Sequence, residues 1–227
     1  MRFIAAFLLS ILSLATFAQG DTRADRVVDR TSGGFNEFQP KPEKIQSVYL
    51  RDDWTYGTLM LLSGDTLKDL SLKYDIKNSL LEIYADAAVK VVSLSKIKGF
   101  EFAVVPRKQL FLNANRQLVP GLTGLVEVLA AGNTSLYAKP SVEIVPGNYN
   151  AALDVGSRDD KAVKKEDLFL VKDGKATDVT RAGKKIVSHF QGRENEIEKY
   201  AKDNSLSYKK KEDLAKIIRF ANDEPAK

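Results

Sequence analysis

From Lys44 onward the chain breaks into short apolar runs separated by Gly, Asp, Asn and Pro. "IQSVYL", "YGTLMLL", "LKDLSLKY", "LLEIY", "VKVVSL", "IKGFEFAVV", "KQLFLN", "GLVEVLA" and "SLYAKPSVEIV" follow one another up to residue 145. Leu80–Tyr84 and Val89–Leu94 alternate apolar and polar positions, the period of a strand with one face buried, and the runs are rich in Val, Ile, Leu and aromatics. Strands at this spacing predict an antiparallel β domain over 44–145, either a β-sandwich or a barrel-like sheet. Residues 146–165, "PGNYNAALDVGSRDDKAVKK", lose the strand period and read as a connector between domains. Over 166–180, "LFLV" and "ATDV" flank Lys172-Asp173-Gly174-Lys175. Asp-Gly between two such runs predicts a hairpin with a type I′ turn, whose central residues both need positive φ.

After Thr180 the period becomes helical. Thr180 is placed to cap a first helix whose apolar face is Ile186, Val187 and Phe190, and Gly192 to end it in the left-handed conformation. A second helix, about 193–203, sets Ile197, Tyr200 and Ala201 on one side. A third, about 209–222, has Leu214, Ile217, Ile218 and Ala221 at i, i+3, i+4, i+7. The fold class is therefore α+β: a sheet followed by a three-helix unit over 181–227. On this reading a chain ending near Thr180 stays folded, and the seven apolar residues Ile186, Phe190, Ile197, Tyr200, Leu214, Ile217 and Ile218 are buried in the intact protein.

The first residues change the picture of where the protein works. Arg2 precedes the uncharged run "FIAAFLLSILSLATF", and Thr16 and Ala18 stand at the −3 and −1 positions of a signal-peptidase site. The run is shorter than the ~20 residues that span a bilayer. Residues 1–18 thus read as a signal peptide, with the mature chain starting at Gln19. Residues 19–43 are polar, contain Gly33-Gly34 and "QPKPEK", and read as a flexible tether. The chain has no cysteine, which removes thiol nucleophiles and Cys-type zinc sites and fits a bacterial envelope protein better than a disulfide-stapled one. An excess of 35 basic over 30 acidic residues is small and mixed along the chain, as on a solvated surface.

"GTLMLLSGDTLKDLSLKYDIKNSLLEI", "VVSLSKIKGFEF" and "YNAALDVGSRDDKAVKKEDLFLVKDGK" resemble an uncharacterised family of exported periplasmic or envelope proteins of Gram-negative bacteria. The resemblance implies a β-rich domain with C-terminal helices. It implies no activity and assigns no site residue.

Candidate chemistry is sparse. "LDVGSRDDKAVKKE" has the acids of a calcium loop without its order. Counted from Asp154, the ligand positions 3 and 5 fall on Gly156 and Arg158, and the bidentate position 12 on Lys165. The single histidine, His189, falls in the last turn of the first C-terminal helix, where the helix dipole favours its protonation. Ser93-Leu-Ser-Lys96 matches a Ser-x-x-Lys pattern, but it ends a strand and has no Lys-Thr-Gly companion. No cofactor motif is present, and no cofactor is expected. Trp54 and Tyr56 flank a turn after "RDD" and could stack on a sugar ring. Between 181 and 211 stand Arg181, Lys184, Lys185, Arg193, Lys199, Lys202, Lys209, Lys210 and Lys211, nine cations against the four carboxylates of Glu194, Glu196, Glu198 and Asp203. Export argues against nucleic acid, so anionic envelope components and peripheral contact with the membrane are the matching partners for such a face.

The expectation is an exported, monomeric protein, periplasmic or associated with the outer membrane. It acts as a non-enzymatic binding or scaffold module for an envelope protein or glycan. Its candidate contacts are Trp54, Tyr56, Lys184, Lys185, Arg193, Lys209, Lys210 and Lys211. The competing readings are an envelope hydrolase with paired carboxylates and a polyanion or membrane-surface binder acting through the basic helices.

Overall fold

The computed structural model describes residues 38–40, 46–117, 120–150 and 152–223. The alternating runs become β1 (Phe38–Pro40), β2 (Thr55–Leu61), β3 (Thr66–Asp75), β4 (Leu80–Ala85), β5 (Ala88–Ser93), β6 (Ile97–Phe102), β7 (Gln109–Asn113), β8 (Leu125–Ala130), β9 (Thr134–Val145), β10 (Lys161–Lys172) and β11 (Lys175–Asp178). All pair antiparallel in one sheet, in the order β1-β5-β4-β3-β2-β6-β7-β8-β9-β10-β11. The ladder is open, with β1 and β11 at its edges. A single helical turn, α1 (Ala114–Gln117), follows β7. A 3₁₀ helix (Gly183–His189), α2 (Glu194–Asp203) and α3 (Lys211–Asn222) end the described chain.

Local chemistry sets the turns. Between β4 and β5 the two loop residues Asp86 and Ala87 have φ of 52° and 57°, and between β10 and β11 Asp173 and Gly174 have 50° and 71°. Both are the positive pairs that a type I′ hairpin turn needs. Within β3, Asp69 at φ 56° makes a bulge. Leu67 pairs with Leu59 and Leu70 with Gly57, so two residues of β3 oppose Thr58 alone, and both leucines keep to the buried face.

That buried face carries two clusters. Over β2–β7 the sheet curls on itself around Leu59, Leu70, Leu72, Ile83, Phe100 and Phe111, with Val142 of β9 packed against them. Phe100 stacks on Phe111 at 4.8 Å and meets Phe102 edge-on at 4.9 Å. Over β8–β10 the same face is covered by helices: Leu129, Leu136, Leu168 and Leu170 pack against Ile186, Phe190, Ile197, Leu214, Ile217 and Ile218. The register shows that one face carries both clusters, since Phe111 pairs with Glu127 and Glu127 with Ala138. The opposite face of this half holds a smaller cluster of Ala114, Leu122, Val126 and Tyr137.

Four expectations need adjustment. β10 starts at Lys161, inside the expected connector 146–165, and pairs with β9 from Val145 to Thr134. Residues 146–160 are therefore the tip of a long β9–β10 hairpin, and the sheet runs through the expected domain join. The first C-terminal helix is 3₁₀ rather than α. Thr180 does not cap it, because its hydroxyl accepts the backbone N–H of Leu168 at 2.9 Å, and Gly183 at φ 54° departs from α geometry at the first residue. Tyr200 is half-buried, stacked on Phe220 at 3.9 Å, whereas Ile186, Phe190, Ile197, Leu214, Ile217 and Ile218 are buried. Finally, Phe38–Pro40 of the expected tether pairs with β5. The signal peptide 1–18 and the other tether positions, 19–37 and 41–43, lie outside the described residues.

Candidate binding face

The sheet buries one face of β2–β4, so the alternate residues of these strands point outward. Tyr56 pairs with Ser71, and Ser71 with Tyr84. The two tyrosines thus stand on one face with a small residue between them, about 10 Å apart at ordinary strand spacing. Trp54 leads into β2, its ring 5.8 Å from that of Tyr84. Trp54, Tyr56 and Tyr84 are 38%, 67% and 47% exposed. Trp54 and Tyr84 pack ring against ring, and Tyr56 stands on the same face across Ser71; exposed apolar groups gathered on one face mark a candidate contact surface. Behind them the Lys73 ammonium lies 4.2 Å from the Tyr49 ring centroid and 5.6 Å from that of Trp54, within cation–π range. The Tyr49 hydroxyl donates to the buried Glu82 carboxylate at 3.1 Å. The face thus carries exposed rings with the Lys73 ammonium beside them and the Glu82 carboxylate buried beneath.

A second constellation lies at the seam between the two clusters. Glu127, 2% exposed, accepts from Arg107 at 3.0 Å and from Lys211 at 3.1 Å. Lys211, the first residue of α3, also reaches Glu166 at 2.7 Å. Burial lowers the Lys211 pKa, but Glu166 and Glu127 outweigh it and leave the ammonium above its ordinary value. Two carboxylates approach each other here, as a hydrolase reading requires, yet a lysine occupies the space between them where a substrate would have to sit. The arrangement ties α3 to the sheet. Asp75, also buried, accepts from the backbone N–H of Val48 at 3.3 Å and of Asn78 at 3.1 Å, which makes it the clamp of the β3–β4 turn.

The basic residues divide. Arg193 forms a two-pronged pair with Glu196 at 2.8 and 2.9 Å and donates to the carbonyls of Ala221 and Asp223, stapling the start of α2 to the end of α3. Lys211 belongs to the seam. Lys184 pairs with Glu198 at 2.8 Å on the wall of a cleft of about 550 Å³ that also touches Tyr208. The Tyr208 hydroxyl is buried without a protein partner, and burial raises its pKa. Lys185, Lys209 and Lys210 are exposed.

In the hairpin tip the acids serve turns. Asp154 accepts from the Tyr149 hydroxyl at 2.6 Å and Asp160 from the backbone N–H of Gly147 at 3.0 Å, while Arg158 lies 4.1 Å from the Tyr149 ring. Among the described residues no group of three His, Cys, Asp or Glu is placed to hold a metal ion. Ser93 caps the 3₁₀ turn Leu94–Lys96 by accepting from Ser95 N–H. His189 ends its helix, and its carbonyl accepts from Lys172 at 2.7 Å.

Of the sequence-derived contacts, then, Trp54 and Tyr56 share one face and Lys184 lines a cleft, while Arg193 and Lys211 have structural partners. The residues that complete the aromatic face, Tyr84, Tyr49 and Lys73, become visible only through strand pairing. Comparison with family models, curated proteins and solved structures returns no match, so geometry alone bears on the function.

Proposed function

We propose that this chain is an exported, non-enzymatic binding module of the cell envelope, and that the Trp54–Tyr56–Tyr84 face stacks on the rings of an envelope glycan. The observation that carries this reading is the exposure of three aligned aromatics on one rigid sheet face. Their spacing across three strands suits a disaccharide unit. Each ring offers an apolar face to the C–H side of a pyranose, and the half-buried Lys73 lies nearby to meet a hydroxyl. Ordered strands hold the rings in place, so little conformational entropy is lost on binding. The apolar N-terminal run supports export, and the curled β2–β9 half fits a barrel-like module. The hydrolase reading is weakened because Lys211 fills the gap between Glu127 and Glu166.

Trp54 is the only tryptophan in the chain, so its fluorescence reports on this face. Titration with β-1,4-linked N-acetylhexosamine oligosaccharides should shift or quench the emission with a dissociation constant in the micromolar to millimolar range, about −4 to −8 kcal/mol. Tyr56→Ala should weaken binding while changing stability by less than about 0.5 kcal/mol, as for an exposed side chain. Unchanged emission up to ~10 mM sugar, weaker than any binding in that range, refutes the glycan reading.

A further inference from the structure

β9 is paired unevenly. β10 pairs with it along its whole length, Thr134–Val145, whereas the pairing of β8 with it ends at Ala138. Lys139–Val145 therefore has an open edge on the side away from β10. The curl of the sheet sets the β3–β4 turn opposite this edge. Between them runs a cleft of about 230 Å³, floored by Tyr74, Ile76 and Leu125 and walled by Val142 and Ile144.

An exposed strand edge invites pairing with another chain, and proteins blunt such edges with charge or proline. The free side of β10 is blunted in this way, with Lys161 and then the unbroken charged run Lys164, Lys165, Glu166 and Asp167 along the strand. The β9 edge has Pro140 near its start, where a strand tolerates a missing N–H, and then Ser141, Val142, Glu143, Ile144 and Val145. Glu143 is turned to Lys165. The charges that do face the cleft are both positive. Lys77 donates to Gln46 at 2.7 Å and Lys139 to Thr123 at 3.2 Å. Among the described residues neither ammonium is paired with a carboxylate.

We propose that the Lys139–Val145 edge is a strand-addition site for an extended peptide segment of a partner protein in which apolar residues alternate with Asp or Glu. Backbone groups of β9 supply the ladder hydrogen bonds that give such a site affinity, and the side-chain pockets supply specificity. The apolar residues of the segment enter against Ile76, Leu125 and Val142. Its carboxylates meet Lys77 and Lys139, which also sets the site against basic segments. This surface is separate from the aromatic face, and its test is independent of the glycan reading.

The probe is an acetylated, amidated heptapeptide of alternating valine and glutamate, titrated into the ¹⁵N-labelled full chain. Amide shifts should move at Val142, Ile144 and Tyr74–Ser79, with a dissociation constant below ~1 mM. The double variant Lys77→Glu/Lys139→Glu reverses both cleft charges, at one exposed and one half-buried position, and should weaken binding tenfold or more while the spectrum of the free protein stays that of a folded chain. Val142→Pro, which removes an edge N–H, tests the ladder separately and should also weaken it. Shifts confined to another surface, no shifts at 1 mM-range peptide, or equal binding of the peptide with lysine in place of glutamate overturns the proposal.

Discussion

Removing residues 181–227 uncovers the inner face of β8–β10. Leu129, Leu136, Leu168 and Leu170 are 1%, 0%, 9% and 1% exposed in the intact chain, and their cover is the 3₁₀ helix, α2 and α3. Returning a buried leucine to water costs about 1.5–3 kcal/mol, so the four together lose about 6–12 kcal/mol, an upper figure because the unfolded chain already hides some of its surface. Whole domains are stable by only about 5–15 kcal/mol. The truncation also takes Lys211 from the buried Glu127, leaving Arg107 to balance it. The expectation that a chain ending near Thr180 stays folded therefore conflicts with the packing of β8–β10. The β2–β7 cluster packs mainly on itself and should keep part of its order. Hydrogen exchange of the truncated chain should show protection lost over β8–β11 and retained over β2–β6, with a lower urea midpoint. A milder version, Leu214→Ala, should cost about 2–5 kcal/mol. If the truncated chain keeps native protection at the Leu129 and Leu136 amides and an unchanged midpoint, the helices are an appendage and the shared-core argument fails.

Lys211→Ala should destabilise by about 1.5–3 kcal/mol, the range for a hydrogen bond to a charged group. The folded pKa of Lys211 is raised, so its contribution is complete below the unfolded value of about 10.4 and fades as pH climbs through the folded value, which unfolding curves at pH 7 and in strong alkali will compare. Asp75→Ala should cost about 1–3 kcal/mol by stranding the part-buried N–H groups of Val48 and Asn78. Burial pushes the Asp75 pKa up, but hydrogen bonds from Asn78, Ser47 and Val48 more than offset this and hold it low. Its stabilisation is therefore present above about pH 4 and lost as pH falls through the depressed value, so wild type and variant should converge in acid melts. Gly99→Ala would set a Cβ 2.3 Å from the Phe111 carbonyl oxygen. It should cost at least the ~1–3 kcal/mol of overpacking in a denaturant titration, and a neutral result would mean that β6 and β7 separate freely.

Much of the sheet was legible because alternation and turn chemistry agree. Asp173-Gly174 spells its turn, and the apolar positions of β2 and β4 fall on the buried face. What escaped was the length of β10. Lys161–Glu166 are all exposed, because this stretch of hairpin leaves the body of the sheet. A strand with neither face buried has no alternation to read. The same cause produced the false domain join at 146–165. The helices were legible from the spacing of Ile186, Ile197, Leu214 and Ile217, but the surface they cover was not, because the leucines of β8–β10 alternate like those of any half-buried strand.

The candidate site was legible only in part, for a related reason. Trp54 and Tyr56 stand two residues apart on either side of a strand start, and local sequence alone marks them as neighbours. Tyr84 lies far along the chain and joins them through the Tyr56–Ser71–Tyr84 register, which depends on the Asp69 bulge: without that extra residue, β3 beyond it would shift one position, and every side chain there would change faces. The charged residues erred in the opposite direction. Arg193 and Lys211 counted toward a basic binding face when only net charge was visible, but Arg193 caps the carbonyls of Ala221 and Asp223 and Lys211 neutralises Glu127. Each of these cations is already committed to a partner inside the fold, and pulling it toward a polyanion would strand a buried or terminal polar group. The exposed aromatics carry no such obligation: Tyr56 and Tyr84 project from a face that the sheet does not need for its core. A ligand meeting them gains contact without breaking a structural bond, which is why the binding reading settles on β2–β4 rather than on the helices.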